Sequence, residues 1–133
     1  MEASRMRSFI CLAALLVIVG AKLQNVTIKG TVICNKKRLE DVTVKLMEKD
    51  TFTPDDTLSE VKTNRDGEFH LFGQEDEVLG IEPYLIFTHT CNVKKENCYR
   101  ETKFDIPKNV LGGEYDMTYV TLDIVQYDDK QHC

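Results

Sequence analysis

The feature that most constrains this chain is a short apolar leader that precedes four of its five cysteines. Arg5 and Arg7 come before an uncharged apolar run over 9–19, and the small residues over 19–21 suit cleavage by signal peptidase. The run is shorter than the roughly 20 apolar residues that a membrane-spanning helix needs. We therefore expect residues 1–21 to be a cleaved signal peptide and residues 22–133 to form one secreted, extracellular domain without a transmembrane segment.

The cysteines beyond the leader are Cys34, Cys91, Cys98 and Cys133. An even number of cysteines in an oxidising compartment predicts two disulfides. Their wide spacing is unlike the close cysteine pairs of zinc sites, and we expect no metal there. Four cysteines allow three connectivities, and the sequence alone does not choose among them. We favour a local Cys91–Cys98 bridge with Cys34–Cys133 as the long bridge.

The pattern of the remaining residues is that of short β-strands separated by turns. Apolar and polar residues alternate, and Asn64-Arg65-Asp66-Gly67 is typical of a hairpin turn. Gly30 interrupts the first strand and suggests a bulge or a close backbone contact. The predicted strands cover 26–34, 42–47, 58–63, 68–72, 84–90, 99–106 and 115–126. Together they predict an all-β sandwich of seven to eight mostly antiparallel strands. The absence of tryptophan argues against an immunoglobulin domain.

Several short motifs, taken in order, resemble the nematode transthyretin-like family. The resemblance runs from about residue 24 to residue 133, and its departures are Thr90, where the family favours an acidic residue, and Phe87, where tyrosine is common. The motifs are Gly30-Thr31-Val32-Ile33-Cys34, Val42-x-Val44-Lys45-Leu46, Pro54-Asp55-Asp56-x-Leu58, Gly67-x-Phe69-x-Leu71-x-Gly73, Pro83-x-Leu85-x-Phe87-x-His89-x-Cys91-Asn92, Cys98-x-Arg100, Ile106-Pro107 and the terminal Cys133. The resemblance implies a secreted β-sandwich of the transthyretin (prealbumin) type and says little about activity.

The histidines and cysteines do not predict an enzyme. The hydroxyisourate hydrolases share the implied fold, but they depend on paired histidines, an arginine and a C-terminal Tyr-Arg-Gly-Ser, and this chain ends in Asp129-Lys130-Gln131-His132-Cys133. Besides His132, the only histidines are His70 and His89, and we interpret His89 as a packed or loop-supporting side chain. Disulfide-bonded cysteines cannot act as nucleophiles. We predict no catalytic residues and no cofactor.

Two further patterns bear on possible ligands. Asp55, Asp56 and Glu60 are carboxylates that could attract Ca²⁺, but their spacing is not that of a calcium loop, and we expect a solvated acidic loop. Asn25-Val26-Thr27 is the only N-glycosylation triplet in the chain. A glycan on Asn25 would obstruct pairing along that edge of the first strand.

The function that these observations favour is a secreted binding module that presents loops 50–57, 74–82 and 92–97 to an extracellular protein, a cell surface or a lipid headgroup. The formal net charge of −5 argues against nucleic acid as the partner. An anionic lipid headgroup stays a candidate partner because of two short basic runs, Lys36-Lys37-Arg38 and Lys94-Lys95. The alternatives are a carrier of small apolar ligands, as in transthyretin, and a hydrolase.

Overall fold

A computed structural model describes residues 23–76 and 81–133, and the predicted leader lies outside these ranges. The described residues form nine strands and one short 3₁₀ helix, Lys108–Val110. The strands are β1 Leu23–Cys34, β2 Lys37–Arg38, β3 Thr43–Glu48, β4 Asp56–Lys62, β5 Glu68–Asp76, β6 Pro83–His89, β7 Tyr99–Asp105, β8 Glu114–Thr121 and β9 Lys130–His132. All seven predicted strands are present. The short strands β2 and β9 were not predicted.

The strands form two sheets that pack as a sandwich. In the first sheet, β1 is the central strand and pairs with β5 and β2 antiparallel and with β8 parallel. The second sheet is antiparallel throughout, in the order β4-β3-β6-β7-β9. The prediction of a mostly antiparallel β-sandwich is therefore confirmed.

The core follows from alternation of apolar and polar residues along each strand. Val26, Ile28 and Val32 of β1 are fully buried, and they face Leu85 and Phe87 of β6 in the opposite sheet. The inward position between Ile28 and Val32 is Gly30, where a Cβ atom would lie 3.0 Å from Phe69 Cζ. At the same point the β1–β8 register shifts. The prediction of a bulge or close contact at Gly30 is confirmed.

The turn predicted at Asn64–Gly67 is present, but the prediction that it closes a hairpin was wrong, because β4 and β5 lie in different sheets and do not pair. Gly67 has a φ of +72°, a conformation that glycine adopts without steric cost. The side-chain oxygen of Asn64 accepts hydrogen bonds from the backbone N–H groups of Asp66 and Glu68, at 3.0 and 2.9 Å. This side-chain bonding holds the turn, through which the chain passes from the second sheet to the first.

Two disulfides are present, but the favoured pairing was wrong. The structure joins Cys34 to Cys91 and Cys98 to Cys133. Cys34 ends β1 and Cys91 follows β6, so this bridge connects the two sheets. Cys98 directly precedes β7 and Cys133 directly follows β9, and the antiparallel pairing of β7 with β9 brings these two cysteines side by side. The unpredicted strand β9 therefore decides the pairing of the C-terminal cysteine.

The last predicted strand was too long. The sequence predicted a strand over 115–126 with Ile124 on its inward face, whereas β8 ends at Thr121 and Ile124 is exposed. The next residue, Leu122, is buried and donates its N–H to the Ile33 carbonyl at 2.9 Å. Beyond it the chain leaves the first sheet and crosses to β9 in the second. Residues 122–129 are consequently a loop.

Candidate functional site

Three segments meet where β1, β6 and β8 end, and they form a surface that we call the disulfide end: residues 35–36, 91–98 and 122–129. The Asn35 backbone N–H donates to Asp123 Oδ1 at 3.3 Å, and the Asn35 side-chain amide donates to Asn92 Oδ1 at 2.9 Å. Asn35 and Asn92 both have positive φ, which asparagine tolerates better than most residues. Both disulfides lie at this end: Cys34–Cys91 links the chain before residues 35–36 to the start of 91–98, and Cys98–Cys133 ties the end of 91–98 to the C-terminus.

A buried arginine holds the base of the disulfide end. Arg100 Nε and Nη2 lie 3.2 and 2.5 Å from the two carboxylate oxygens of Asp129, and both side chains are 5% exposed. Arg100 Nη1 also donates to the carbonyls of Cys91 and Leu122, at 2.7 and 2.9 Å. The Arg100 guanidinium thus joins three points: the start of loop 91–98, the start of loop 122–129 and, through Asp129, the end of loop 122–129. A two-point arginine–carboxylate pair is geometrically specific and strong when buried.

His89 lies beside this ion pair and completes a buried hydrogen-bond chain. Its Nδ1 accepts the Cys91 backbone N–H at 3.1 Å, which places the ring proton on Nε2. Nε2 then donates to Thr102 Oγ1 at 2.8 Å, and the Thr102 hydroxyl donates to Asp129 Oδ2 at 3.1 Å. With both ring nitrogens engaged and 4% of its surface exposed, His89 supports the loop, as the sequence predicted.

Burial and charge set the protonation states of this cluster. Burial, followed by the nearby charge of Arg100, lowers the pKa of His89 from 6.5 to about 4, so the imidazole is neutral at pH 7. Burial alone would raise the pKa of Asp129, but hydrogen bonds and charge from Arg100 hold the pKa below its usual value. The cluster therefore contains one cation, one anion and one neutral imidazole.

The loop on this base exposes apolar side chains. Ile124 is 59% exposed, Val125 is 72% exposed and Tyr127 is fully exposed. Isolated apolar residues are common on protein surfaces, whereas three within four positions form a patch of the kind that marks interaction sites. Because both ends of the loop are anchored, at Leu122 and at Asp129, the patch is presented on a fixed support. The sequence pattern does not indicate this patch, because Ile124 fits the alternation of apolar and polar residues along β8.

The predicted basic runs lie next to this patch. Lys36 belongs to the disulfide end, and the Asn35–Asn92 hydrogen bond brings it towards the loop that carries Lys94 and Lys95. These lysines are exposed. The acidic residues of the same segments are Glu96, Asp123, Asp128 and the buried Asp129 that pairs with Arg100, so the positive charge of this end is confined to the three lysines.

The three loops predicted to bind do not lie together. Loops 50–57 and 74–82 are near each other, because β3 ends opposite the start of β6 and β5 ends opposite the start of β1. Loop 92–97 is at the opposite end of the sandwich. Residues 77–80 of the second loop lie outside the described residues. The structure thus separates two of the predicted loops from the third and joins loop 92–97 to the unpredicted loop 122–129.

The carboxylates considered for Ca²⁺ do not converge. Asp55 accepts hydrogen bonds from the Asp50 backbone N–H and from the Tyr84 hydroxyl, and these bonds lower the pKa of its carboxyl group. Glu60 Oε1 lies 3.6 Å from Lys45 Nζ. Asp56 instead lies close to Glu48 and Glu75, with one oxygen of each within 4.8 Å of the others. Within residues 23–76 and 81–133, these three carboxylates are the group close enough together to hold a cation. Acidic groups often cluster without binding one.

The three histidines are on three different strands and have different surroundings. His70 is on the outer face of β5 and is exposed. His132 of β9 stacks on Tyr99 with ring centroids 4.8 Å apart, and its Nε2 lies 2.7 Å from Glu101 Oε1. His89 is buried in the cluster described above. The residues that a hydroxyisourate hydrolase would use are therefore not assembled here.

Asn25 lies in β1, which has neighbours on both sides. Asn25 pairs with Gln74 of β5, and its carbonyl accepts the Gly112 N–H at 2.7 Å. The prediction that a glycan would block an edge was wrong, because β1 is not an edge strand. The side chain projects from the face of the sheet instead.

Comparison with known proteins agrees with the sandwich. The sequence profile of the Transthyretin-like family matches residues 29–107, from β1 to β7. Transthyretin-like protein 16 of Caenorhabditis elegans is 52% identical over 122 residues, which are 92% of this chain and 92% of that protein. Transthyretin-like protein 2 of the same organism is 38% identical over 94 residues, 66% of this chain and 64% of its own. Transthyretin-like protein 5 of C. elegans is 35% identical over 103 residues, which are 77% of this chain and 74% of that protein.

Among solved structures, a 9R-lipoxygenase from Cyanothece PCC8801 aligns with 80% of this chain and 17% of its own, at 20% identity and a TM-score of 0.49. That likeness is too distant to bear on function. Within the part of the chain that the structure describes, no helix has the length and apolar character to cross a bilayer.

Proposed function

This chain belongs to the Transthyretin-like family, and on that premise we propose that it is a secreted binding module whose disulfide end contacts an extracellular protein or cell-surface partner. In this proposal residues 1–21 are removed as a signal peptide and residues 22–133 act outside the cell. The observation that carries the proposal is the exposed patch of Ile124, Val125 and Tyr127 on a loop fixed by a buried ion pair.

The support beneath the patch favours binding energetically. Immobilising a flexible, rotamer-rich side chain costs about 0.5–1.5 kcal/mol on association. Loop 122–129 is held before binding by the Asp129 carboxylate, by the Leu122 carbonyl and by Asp123, which accepts a hydrogen bond from Asn35. Because the loop backbone is already held, less conformational entropy of the loop is lost when a partner binds. Tyrosine, here Tyr127, is among the residue types that most often dominate interface energy.

The lysines beside the patch indicate an acidic partner. Lys36, Lys94 and Lys95 are exposed at the same end, on a chain that is acidic overall. Rim charges of this kind mainly speed association and make binding weaker at high salt. We expect the partner to combine an apolar contact with acidic groups, and an anionic lipid headgroup is the other surface that has this chemistry.

The experiment uses the oxidised chain 22–133 with a photo-reactive amino acid at position 125. The protein is incubated with intact cells and extracellular fluid, irradiated, and analysed by mass spectrometry. The matched control carries the same group at Phe52, which is almost fully exposed at the opposite end. We expect partners cross-linked from position 125 and not from position 52.

A second arm measures affinity for the recovered partner. The variant Val125→Ser/Tyr127→Ser should weaken binding about thirtyfold or more, since each removed anchor is worth about 1 kcal/mol or more. Phe52→Ser should bind as the unchanged protein does. Equal cross-linking from both positions, or unchanged affinity of the double variant, would contradict the assignment of the surface. Vesicles with and without anionic lipid distinguish a membrane from a protein partner.

The carrier alternative has one observation in its favour. An open groove of about 540 Å³ lies on the outer face of the first sheet, lined in part by Lys29, His70, Asp116 and Tyr119. In transthyretin the ligand pocket arises between subunits of a tetramer, so the alternative requires assembly. A monomer by light scattering would exclude this alternative.

A catalytic role has no supporting geometry among the described residues. His89 has both nitrogens engaged in a buried chain, and the other histidines lie on separate strands. We propose that the protein is not an enzyme. Turnover of hydroxyisourate by the purified chain would refute this.

A further inference from the structure

The glycosylation triplet lies in regular strand structure, which fixes where its side chains point. Val26 is fully buried in the core, so Asn25 and Thr27, the residues on either side of it, face outward. Backbone hydrogen bonds hold this segment against the loop before β8: Gly112 N–H donates to the Asn25 carbonyl at 2.7 Å, and Thr27 N–H donates to the Gly113 carbonyl at 3.0 Å. A group attached to Asn25 would therefore emerge over the outer face of the first sheet.

An exposed aromatic ring lies on that face next to the triplet. Phe72 of β5 pairs directly with Thr27, and it is 51% exposed. Asn25 pairs with Gln74, so Asn25 and Phe72 are diagonal neighbours on the same face. Diagonal neighbours across an antiparallel pair are about 7–8 Å apart, within reach of large side chains.

We propose that Asn25 carries an N-linked glycan and that the first sugar packs on the exposed ring of Phe72. A pyranose ring has an apolar face of C–H groups, and covering an aromatic ring with it removes apolar surface from water. Attachment to an asparagine diagonal to the ring places the sugar at the correct distance. The proposal rests on export of the chain, which is part of the proposed function, because the modification is made in the secretory pathway.

The glycan would leave the proposed binding surface free. Asn25 is nine residues before Cys34 along β1, a distance of about 30 Å in a strand. The disulfide end lies beyond Cys34. A glycan on Asn25 therefore projects from a different face, near the opposite end of the sandwich, and binding at the disulfide end does not require its removal.

The test begins with the full chain expressed in a eukaryotic secretory cell line, with Thr27→Ser and Thr27→Val as a matched pair. Serine keeps the triplet, while valine removes it and preserves a β-branched side chain at an outward position. We expect the unchanged protein and Thr27→Ser in the medium to lose apparent mass on treatment with peptide N-glycosidase F, and Thr27→Val to be unaffected. The treated peptide should contain aspartate at position 25.

The packing on Phe72 is tested on the purified glycoprotein. In protein from cells that keep N-glycans in the high-mannose form, endoglycosidase H leaves one N-acetylglucosamine on the asparagine, and peptide N-glycosidase F leaves none. We expect the endoglycosidase product to be as stable as the intact glycoprotein, and complete removal to raise the equilibrium constant of unfolding about two- to fivefold, the equivalent of one cross-strand aromatic contact. In the variant Phe72→Thr, complete removal should have no effect.

Each of the opposite results overturns one part of the proposal: the glycosylation site, the packing on Phe72 or the export of the chain. Secreted protein without a glycan on Asn25 overturns the site and leaves the proposed function standing. A glycan whose removal changes stability equally in the unchanged protein and in Phe72→Thr overturns the packing. Retention of the unmodified chain inside the cell, with the leader uncleaved, overturns export, on which both proposals depend.

Discussion

The buried neutral imidazole of His89 predicts a loss of stability in mildly acidic solution. The pKa of His89 is about 4 in the folded protein and about 6.5 in the unfolded chain. Below pH 6.5 the unfolded chain gains a proton that the folded protein does not, so stability is full above pH 6.5 and falls as the pH drops towards 4. A difference of about 2.5 pKa units corresponds to about 3 kcal/mol in total, of which about 2 kcal/mol is lost by pH 5.

The variant His89→Asn isolates this effect. Its side-chain oxygen can take the place of Nδ1 and accept the Cys91 N–H, but it does not titrate and it leaves Thr102 without its ring partner. We expect the variant to be about 1 kcal/mol less stable at pH 7, for one lost hydrogen bond. Its stability should then change less between pH 7 and pH 5 than that of the unchanged protein.

The assay is urea unfolding of the oxidised chain 22–133 at several pH values, followed by circular dichroism and tyrosine fluorescence, since the chain has no tryptophan. The quantity compared is the fall in unfolding free energy between pH 7 and pH 5. Measurement at or above pH 5 keeps the titration of Asp129 and other carboxylates small. If the fall in the unchanged protein and in His89→Asn agreed within about 0.5 kcal/mol, burial of His89 would not be the cause of the pH dependence.

The remaining predictions concern the buried ion pair and one turn. Arg100→Met should lower the free energy of unfolding in urea by about 3–5 kcal/mol, because Asp129 would stay buried without its partner. Adding Asp129→Leu should recover part of that loss. A loss below about 1 kcal/mol for Arg100→Met, which is the value for an ion pair exposed on the surface, would contradict the prediction. Gly67→Ala should cost at least about 2 kcal/mol, since its Cβ would lie 2.6 Å from the Val32 carbonyl oxygen, whereas Gly112→Ala, also at positive φ but in open space, should cost about 1 kcal/mol. Equal losses at the two glycines would refute the steric argument.

The strand pattern was predictable because it is local. Val44 and Leu46 face the core while their neighbours face solvent, and this period of two is visible in the chain itself. The turn at Asn64–Gly67 was predictable for the same reason, because glycine and asparagine favour that conformation within four residues. The role of His89 was anticipated from its place in a strand two residues before Cys91.

Loop 122–129 was not predictable from this local pattern. Ile124 continues the alternation of Val120 and Leu122, so the sequence assigns it to the core. In the fold, Leu122 is the last residue to reach the first sheet, and Arg100 of β7 holds its carbonyl from the other sheet. What ends the strand is a contact with a residue 22 positions away, which no local pattern encodes.

The cysteines show the same division between sequence and structure. The sequence by itself determined the prediction of two disulfides, because Cys34, Cys91, Cys98 and Cys133 are an even set and the pattern of residues 1–21 predicts export to an oxidising compartment. Only the tertiary structure decided that Cys34 joins Cys91 and Cys98 joins Cys133. The physical reason is that a disulfide forms between side chains that the packed sheets bring within bonding distance, and here the distance along the chain did not indicate which side chains those are.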